Sequence, residues 1–183
     1  NLRVKAIYNR RNSQTRAAFL PLGVGPGIGN GNLLDRINID ATNPFNPFGQ
    51  TLYSGLNPDG TDDPVNDANY VGVSRRFVEG GLRQFSQEVD TYSLTATLDG
   101  SFNVGSRRWY WDINGVYGLN DAHQVFTGNL NAANLARALG PVADCTGPCV
   151  PFNIFGGVGS ITQAMLDYVT FDQRDKSRQQ LVD

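Results

Sequence analysis

The sharpest alternation of apolar and polar positions runs from residue 91 to residue 120. Tyr92, Leu94, Ala96, Leu98, Gly100 and Phe102 occupy even positions, while Ser93, Thr95, Thr97, Asp99 and Ser101 occupy odd ones. A strand sends successive side chains to opposite faces, so this period of two gives one apolar and one polar face. Helical spacing would instead gather Tyr92, Ala96 and Asp99 on one side, with no consistent apolar stripe. After the short turn Asn103-Val104-Gly105-Ser106 the pattern resumes. Trp109, Trp111, Ile113, Gly115, Tyr117 and Leu119 share one face, and Tyr110, Asp112, Asn114, Val116, Gly118 and Asn120 the other. A β-hairpin with a small connecting loop is expected.

Two further strands flank it. In the first, over about 1–18, Leu2, Val4, Ala6 and Tyr8 alternate with Arg3, Lys5, Ile7 and Asn9. Basic side chains on one face of a barrel strand point into a wet lumen, where they cost little; at the lipid midplane each costs about 2–4 kcal/mol. The last strand covers about 168–183. The hairpin strands are expected over about 75–102 and 107–127, and the polar but β-like stretch Arg75–Val89 reads as wall continuing beyond a bilayer. The remaining segments, about 19–74 and 128–167, are rich in Gly, Asn and Pro. The second holds local order: Asn131–Leu139 suits a short helix ended by Gly140. Ser160-Ile161-Thr162-Gln163 has the form of a capping box opening a helix over about Ile161–Tyr168. No internal repeat and no clean domain boundary interrupt the chain.

These elements predict an all-β fold, part of a transmembrane antiparallel β-barrel of about four strands, with two long extracellular loops containing short helices. Ten residues at about 3.3 Å each span roughly 33 Å; tilted about 45°, they cover roughly 24 Å, the height of an outer-membrane barrel's apolar band. Tyr92, Phe102, Trp109, Trp111 and Tyr117 sit where aromatic girdles belong at the membrane interfaces. Two long connections on one side and one tight turn on the other repeat the asymmetry of such barrels. Four strands cannot close a barrel, and open edges are not tolerated in lipid, so the segment is expected to be part of a larger wall.

Composition narrows the picture. Apolar residues are 40% and charged residues 17% of the chain, with 21 Gly and a net charge of −2. That balance leaves no basic footprint for nucleic acid. No run approaches the roughly 18 consecutive apolar residues of a transmembrane helix. The chain begins at Asn1 without a signal-peptide pattern, so processing or a longer parent chain is expected. Cys145-Thr146-Gly147-Pro148-Cys149 places two cysteines across a turn. With a single histidine and no second cysteine pair, a four-ligand zinc site is short of ligands. A Cys145–Cys149 disulfide, and hence an oxidising compartment, is the expectation.

Several segments resemble one family. Asp40-Ala41-Thr42-Asn43-Pro44-Phe45-Asn46-Pro47-Phe48-Gly49 and Arg75-Arg76-Phe77-Val78-Glu79-Gly80-Gly81-Leu82-Arg83 are similar to the mid-barrel region of TonB-dependent outer-membrane receptors. So are Trp109-Tyr110-Trp111-Asp112 with Tyr117-Gly118, and Cys149-Val150-Pro151-Phe152-Asn153-Ile154-Phe155-Gly156-Gly157 running on to Ser160-Ile161-Thr162. The resemblance covers about residues 35–170. It implies a barrel of about 22 strands with an N-terminal plug, placed in the bacterial outer membrane. It also implies import of a scarce nutrient: an iron chelate, cobalamin, an oligosaccharide or a peptide. The partners implied are outer-membrane lipid, the remainder of the barrel and its plug, TonB acting through that plug, and the small nutrient itself. No plug, TonB-binding segment or terminal barrel strand is recognisable in the sequence. Transport is therefore expected of a parent protein. A passive porin-type channel wall and a soluble or surface β-adhesin that binds glycans are the alternatives.

No catalytic constellation emerges, and an enzyme is not expected. The run Gly23-Val24-Gly25-Pro26-Gly27-Ile28-Gly29-Asn30-Gly31 fails both phosphate-loop patterns. Ser160 is not in a nucleophile elbow, and His123 lacks a nucleophile partner, so a surface or loop histidine is expected. Asn57, Asp59, Asp62 and Asp63 offer oxygen ligands around Gly60 and form a Ca²⁺ candidate, the one cofactor considered; EF-hand spacing is absent, and an ordinary solvated turn is the simpler reading. Arg75, Arg76 and Arg83 are the candidate ligand contacts, since arginine pairs bidentately with carboxylate or phosphate. Salt bridging within the wall, with Glu79 or Glu88, is the simpler reading of each.

Overall fold

A computed structural model describes residues 1–28 and 32–183. The chain is 50% strand and 14% helix. Its strands are β1 (Leu2–Phe19), β2 (Pro21–Val24), β3 (Val73–Arg76), β4 (Leu82–Val104), β5 (Arg107–Leu130) and β6 (Thr170–Val182), with helices α1 (Ala132–Leu139) and α2 (Gln163–Val169). The long strands form one antiparallel sheet in the order β1-β4-β5-β6, open at both edges; β2 and β3 form a separate pair, Pro21 opposite Arg76. A membrane barrel would close only with further strands.

The chain divides into two compact units. The first comprises Asn1–Thr15, Gln84–Phe126 and Gln173–Asp183, and is sheet throughout. Its hairpin turn is tighter than expected: β4 runs to Val104 and β5 starts at Arg107, leaving Gly105 and Ser106. Gly105 has φ +61°, a left-handed conformation that favours glycine.

The second unit comprises Arg16–Arg83 and Thr127–Asp172. The two Gly-, Asn- and Pro-rich segments fold here onto a single core. Leu22, Val24, Ile39, Phe77, Leu135, Leu139, Phe152 and Val169 are fully buried in it, and each such side chain contributes about 1.5–3 kcal/mol. α1 buries Leu135, Ala138 and Leu139, and is capped by the Asn131 side chain, which accepts from Asn134 N at 3.1 Å. The repeated Asn-Pro-Phe places asparagines as staples. Asn43 Oδ1 accepts from Phe45 N at 2.9 Å and Asn46 Oδ1 from Phe48 N at 3.0 Å. Asn43, buried, also donates through Nδ2 to Ala138 O at 3.0 Å. Short polar side chains that bond the backbone two residues on are what make such loops definite. Cys145 and Cys149 are joined by a disulfide, in agreement with the spacing argument.

Three boundaries differ from expectation. The strand expected over 75–102 divides at Phe77–Gly81. Phe77 turns into the core with 1% exposure, and the backbone bonds Gly80 N to Phe77 O and Gly81 N to Val78 O close a short turn. Core burial of one aromatic outweighs strand continuity there. The capping box on Ser160 does not form: Thr162 caps α2 by accepting from Met165 N at 3.3 Å, and Gln163 bonds Asp167 at 2.7 Å. Ser160 Oγ instead accepts from Arg75 at 3.2 Å. The last strand begins at Thr170 rather than 168, because Tyr168 and Val169 complete α2. Of the glycine-rich run, Gly29-Asn30-Gly31 lies outside the described residues.

Candidate lipid-facing surface

Cross-strand hydrogen bonds fix which residues of the first unit share a face. Thr91 Oγ1 donates to Asn120 Oδ1 at 3.1 Å and Thr97 Oγ1 to Asn114 Oδ1 at 2.8 Å. Gln14 Nε2 donates to Gln84 Oε1 at 3.0 Å, and Val116 exchanges backbone hydrogen bonds with Asp183. These registers put even residues of β1, β4 and β6 and odd residues of β5 on one face of the sheet.

That face has two zones. Toward the hairpin turn it is continuously apolar: Leu2, Val4 and Ala6 on β1; Leu94, Ala96, Leu98 and Phe102 on β4; Trp109, Trp111, Ile113 and Leu119 on β5. Few of these side chains are covered. Leu94 is 44%, Leu98 43%, Phe102 52%, Trp109 56% and Ile113 64% exposed. Proteins in water rarely leave so extended an apolar patch open, unless it binds a partner or a membrane. Aromatic rings mark both margins. At one end Tyr8 and Tyr92 stack with centroids 5.0 Å apart, near Tyr117; at the other lie Phe102, Trp109 and Trp111. The Trp111 indole lies over Gly100, where a Cβ would come within 2.7 Å of the ring.

Beyond the tyrosines the same face becomes charged two residues along on β1, β4 and β5, and four residues beyond Val182 on β6. The sequence passes from Tyr8 to Arg10 on β1, from Tyr92 to Asp90 and Glu88 on β4, and from Leu119 to Asp121 and His123 on β5. On β6 it passes from Val182 to Gln180, Arg178 and Lys176. The change is locked by an ion-paired cluster. Arg10 donates Nε to Asp90 Oδ1 and Nη2 to Asp90 Oδ2, both at 2.8 Å, and lies 3.5 Å from Glu88. Tyr8 Oη donates to Asp90 at 2.7 Å. Hydrogen bonds from Arg10, then from Tyr8, hold the Asp90 carboxyl down at about 2, and the same contacts raise Arg10. His123 sits 3.6 Å from Asp121, at the surface as expected of it.

The opposite face follows the reverse order. Beside the apolar zone it carries the Thr and Asn ladder, Arg3 within 3.5 Å of Asp99, and Arg108 Nε on Ser101 Oγ at 3.2 Å. Beside the charged zone it carries Val89 and Ala122, both buried, and the Phe85–Phe126 ring pair at 6.4 Å. Polarity thus inverts on both faces at one level, the apolar positions of β5 passing from odd residues up to Leu119 to the even residues Ala122 and Phe126.

In the second unit the candidate arginines are occupied internally. Arg75 donates to Glu79 Oε1 at 2.7 Å, Gly156 O at 2.8 Å and Ser160 Oγ at 3.2 Å, pinning the turn that follows Phe152. Burial raises the Glu79 carboxyl, but its own N–H, Gly159 N–H, Arg75 and Ile161 N–H outweigh that and hold it below the usual carboxylate range. Arg76 donates to Phe19 O at 3.3 Å and Arg83 to Ala18 O at 3.0 Å, so the structure does not bring the three together on one ligand. The calcium candidates serve their own loop. Asp59 Oδ1 accepts from Thr61 N and Oγ1, Asp63 from Val65 N, Asn66 N and Asn66 Nδ2, and Asn57 donates to Asp62 O. Those bonds lower both carboxyls, from Thr61 on Asp59 and chiefly from Asn66 on Asp63. Among the described residues no three His, Cys, Asp or Glu side chains converge as a metal site, and no helix is long and apolar enough to cross a membrane.

Compared with known proteins, the chain matches no family model, no curated protein and no solved structure.

Proposed function

We propose that this chain is a wall segment of a bacterial outer-membrane β-barrel, and that the barrel serves an active-transport receptor importing a scarce nutrient with TonB-derived energy. One observation carries the membrane reading. A single sheet face changes from apolar to charged at one level on β1, β4 and β5, with Tyr8, Tyr92 and Tyr117 near the change. A lipid–water boundary crossing a tilted wall requires that arrangement. Strand length agrees: β4 has 23 and β5 24 residues, against the roughly 9–11 that cross the hydrocarbon. The surplus continues into water, where charged exterior positions are stable. The receptor reading rests on the similarity of the segments around Asn43–Phe48, Arg75–Arg83, Trp109–Asp112 and Cys149–Gly157 to TonB-dependent receptors.

The test uses the full-length protein that carries this chain, in intact cells. Uptake of its nutrient, found by screening iron chelates, cobalamin, oligosaccharides and peptides against a deletion strain, is expected to stop when a protonophore collapses the inner-membrane gradient. Uptake that continues unchanged would make the wall that of a passive porin. A protein recovered in water without detergent would move the reading to a β-adhesin whose Leu94–Ile113 face packs on another sheet.

A further inference from the structure

The second unit is made of two stretches, Arg16–Arg83 and Thr127–Asp172, and both supply only short elements. β2 and β3 have 4 residues each, α1 has 8 and α2 has 7. Helices shorter than about 12–15 residues are marginal in water by themselves, and so is an isolated pair of strands. Each stretch therefore draws on the other, in three ways. The core is shared. Leu22, Ile39 and Phe77 of the first stretch and Leu135, Phe152 and Val169 of the second belong to one buried cluster, with the Phe77 and Phe152 rings 6.1 Å apart. The last carbonyls of α1, which a helix cannot satisfy from within, are met from the first stretch. Asp40 N donates to Leu139 O and Asn43 Nδ2 to Ala138 O, both at 3.0 Å. In the reverse direction Val142 N donates to Thr42 Oγ1 at 3.0 Å. The third tie is the buried ion pair. Arg75 reaches across to Gly156 O at 2.8 Å and Ser160 Oγ at 3.2 Å, and Glu79 Oε1 accepts from Gly159 N at 2.8 Å.

The Cys145–Cys149 disulfide lies within the second stretch and crosses to nothing in the first, so the tie is noncovalent. Releasing either stretch uncovers apolar side chains of the other. It also leaves Ala138 O, or the Glu79 carboxylate with its side chain 9% exposed, without partners, and a buried polar group so stranded costs its full desolvation. We infer that the two stretches open only together, as one cooperative body, and that neither moves against the other as a separate gate. A ligand or partner that grips one stretch in its closed form thereby stabilises the other to the same degree. It meets a preformed surface rather than loops that fold around it. The inference is independent of the lipid-facing reading of the first unit, and holds equally for a porin wall or a soluble sheet.

The experiment measures amide hydrogen exchange of the full-length protein in non-ionic detergent, under conditions where the rate reports the opening equilibrium. The reporters in the first stretch are Ile39 and Leu52, whose backbones bond each other at 2.9 Å in both directions. Those in the second are Leu135, bonded to Asn131 O, and Leu166, bonded to Thr162 O, both at 3.0 Å. In wild type all four amides are expected to share one opening constant. Phe152→Ala, made in the second stretch, is expected to raise that constant roughly 100-fold or more at all four, Ile39 and Leu52 included. Asn43→Ala, made in the first, is expected to raise it roughly tenfold at all four, Leu166 included. Should Phe152→Ala fail to fold, Asn43→Ala carries the comparison by itself. Distinct wild-type constants for the two pairs, or acceleration confined to the stretch that carries the substitution, would overturn the inference.

Discussion

Ile113 lies midway between the Tyr92–Tyr117 margin and the Phe102–Trp109 margin, beside Leu98, and is 64% exposed. Ile113→Arg therefore separates lipid from water by sign and size. On a face in water, replacing an exposed isoleucine changes stability by no more than about 0.5 kcal/mol. On a lipid face near the midplane, arginine costs about 2–4 kcal/mol, or roughly 30- to 1000-fold in the folding equilibrium. Asn114→Arg, one residue on and facing the opposite side with Thr97, is the internal control. At a wet lumen face it is expected to cost less than about 1 kcal/mol. The assay is reversible urea unfolding of the full-length protein in phospholipid vesicles, followed by tryptophan emission and by loss of the folded gel band. Equal effects at 113 and 114, or an Ile113→Arg protein that gains stability and leaves the vesicles, would refute the reasoning.

Gly100→Ala places a methyl against the Trp111 indole; a destabilisation of about 1–3 kcal/mol is expected, with a shift of tryptophan emission as the ring moves. Asp90 is held down at about 2 by Arg10. A depressed carboxyl contributes stability that is fully present above its usual value near 3.9 and is lost as pH falls through its folded value. Acid unfolding between about pH 4 and pH 2 should therefore be shallower in Asp90→Asn, measured by circular dichroism across that window. Arg75→Met strands the Glu79 carboxylate, whose side chain is 9% exposed and whose Oε2 already lacks a hydrogen bond. A loss of about 3–5 kcal/mol is expected, with Arg75→Met/Glu79→Leu recovering most of it in thermal melts.

The sheet was legible because period two runs through Tyr92–Phe102 and again through Trp109–Asn120, and because Gly105 marks the turn. The charged zone was half legible. Arg75–Val89 reads as polar strand, but which face Asp90 and Arg10 occupy depends on a register between distant segments that no local pattern states. The second unit was the least legible. Its core is built from residues scattered across two connections, such as Leu22, Phe77, Leu135 and Phe152, so no window shows a periodic stripe. The same reason hides the break at Phe77, since burial in that core overrides strand propensity. Arg75 suited a ligand contact because arginine forks suit anions, but salt bridging with Glu79 was the simpler reading, and Glu79, four residues along the chain, is the anion it meets. The acid-rich loop at Asp59–Asp63 left two readings open, the favoured turn and a cation site, because short spacing of carboxylates serves turn geometry and metal binding alike.

Lipid contact of the alternating face is tested most directly by residue-resolved photolabelling in native membranes, with a phospholipid carrying a diazirine in its acyl chain. The expected result is label on Leu94, Leu98, Phe102, Trp109, Trp111 and Ile113. None is expected on the intervening Ser93, Thr95, Thr97, Asp112 and Asn114, or beyond the boundary on Glu88 and His123. Label spread over both faces, or confined to the segments of the second unit, would contradict a lipid-facing wall.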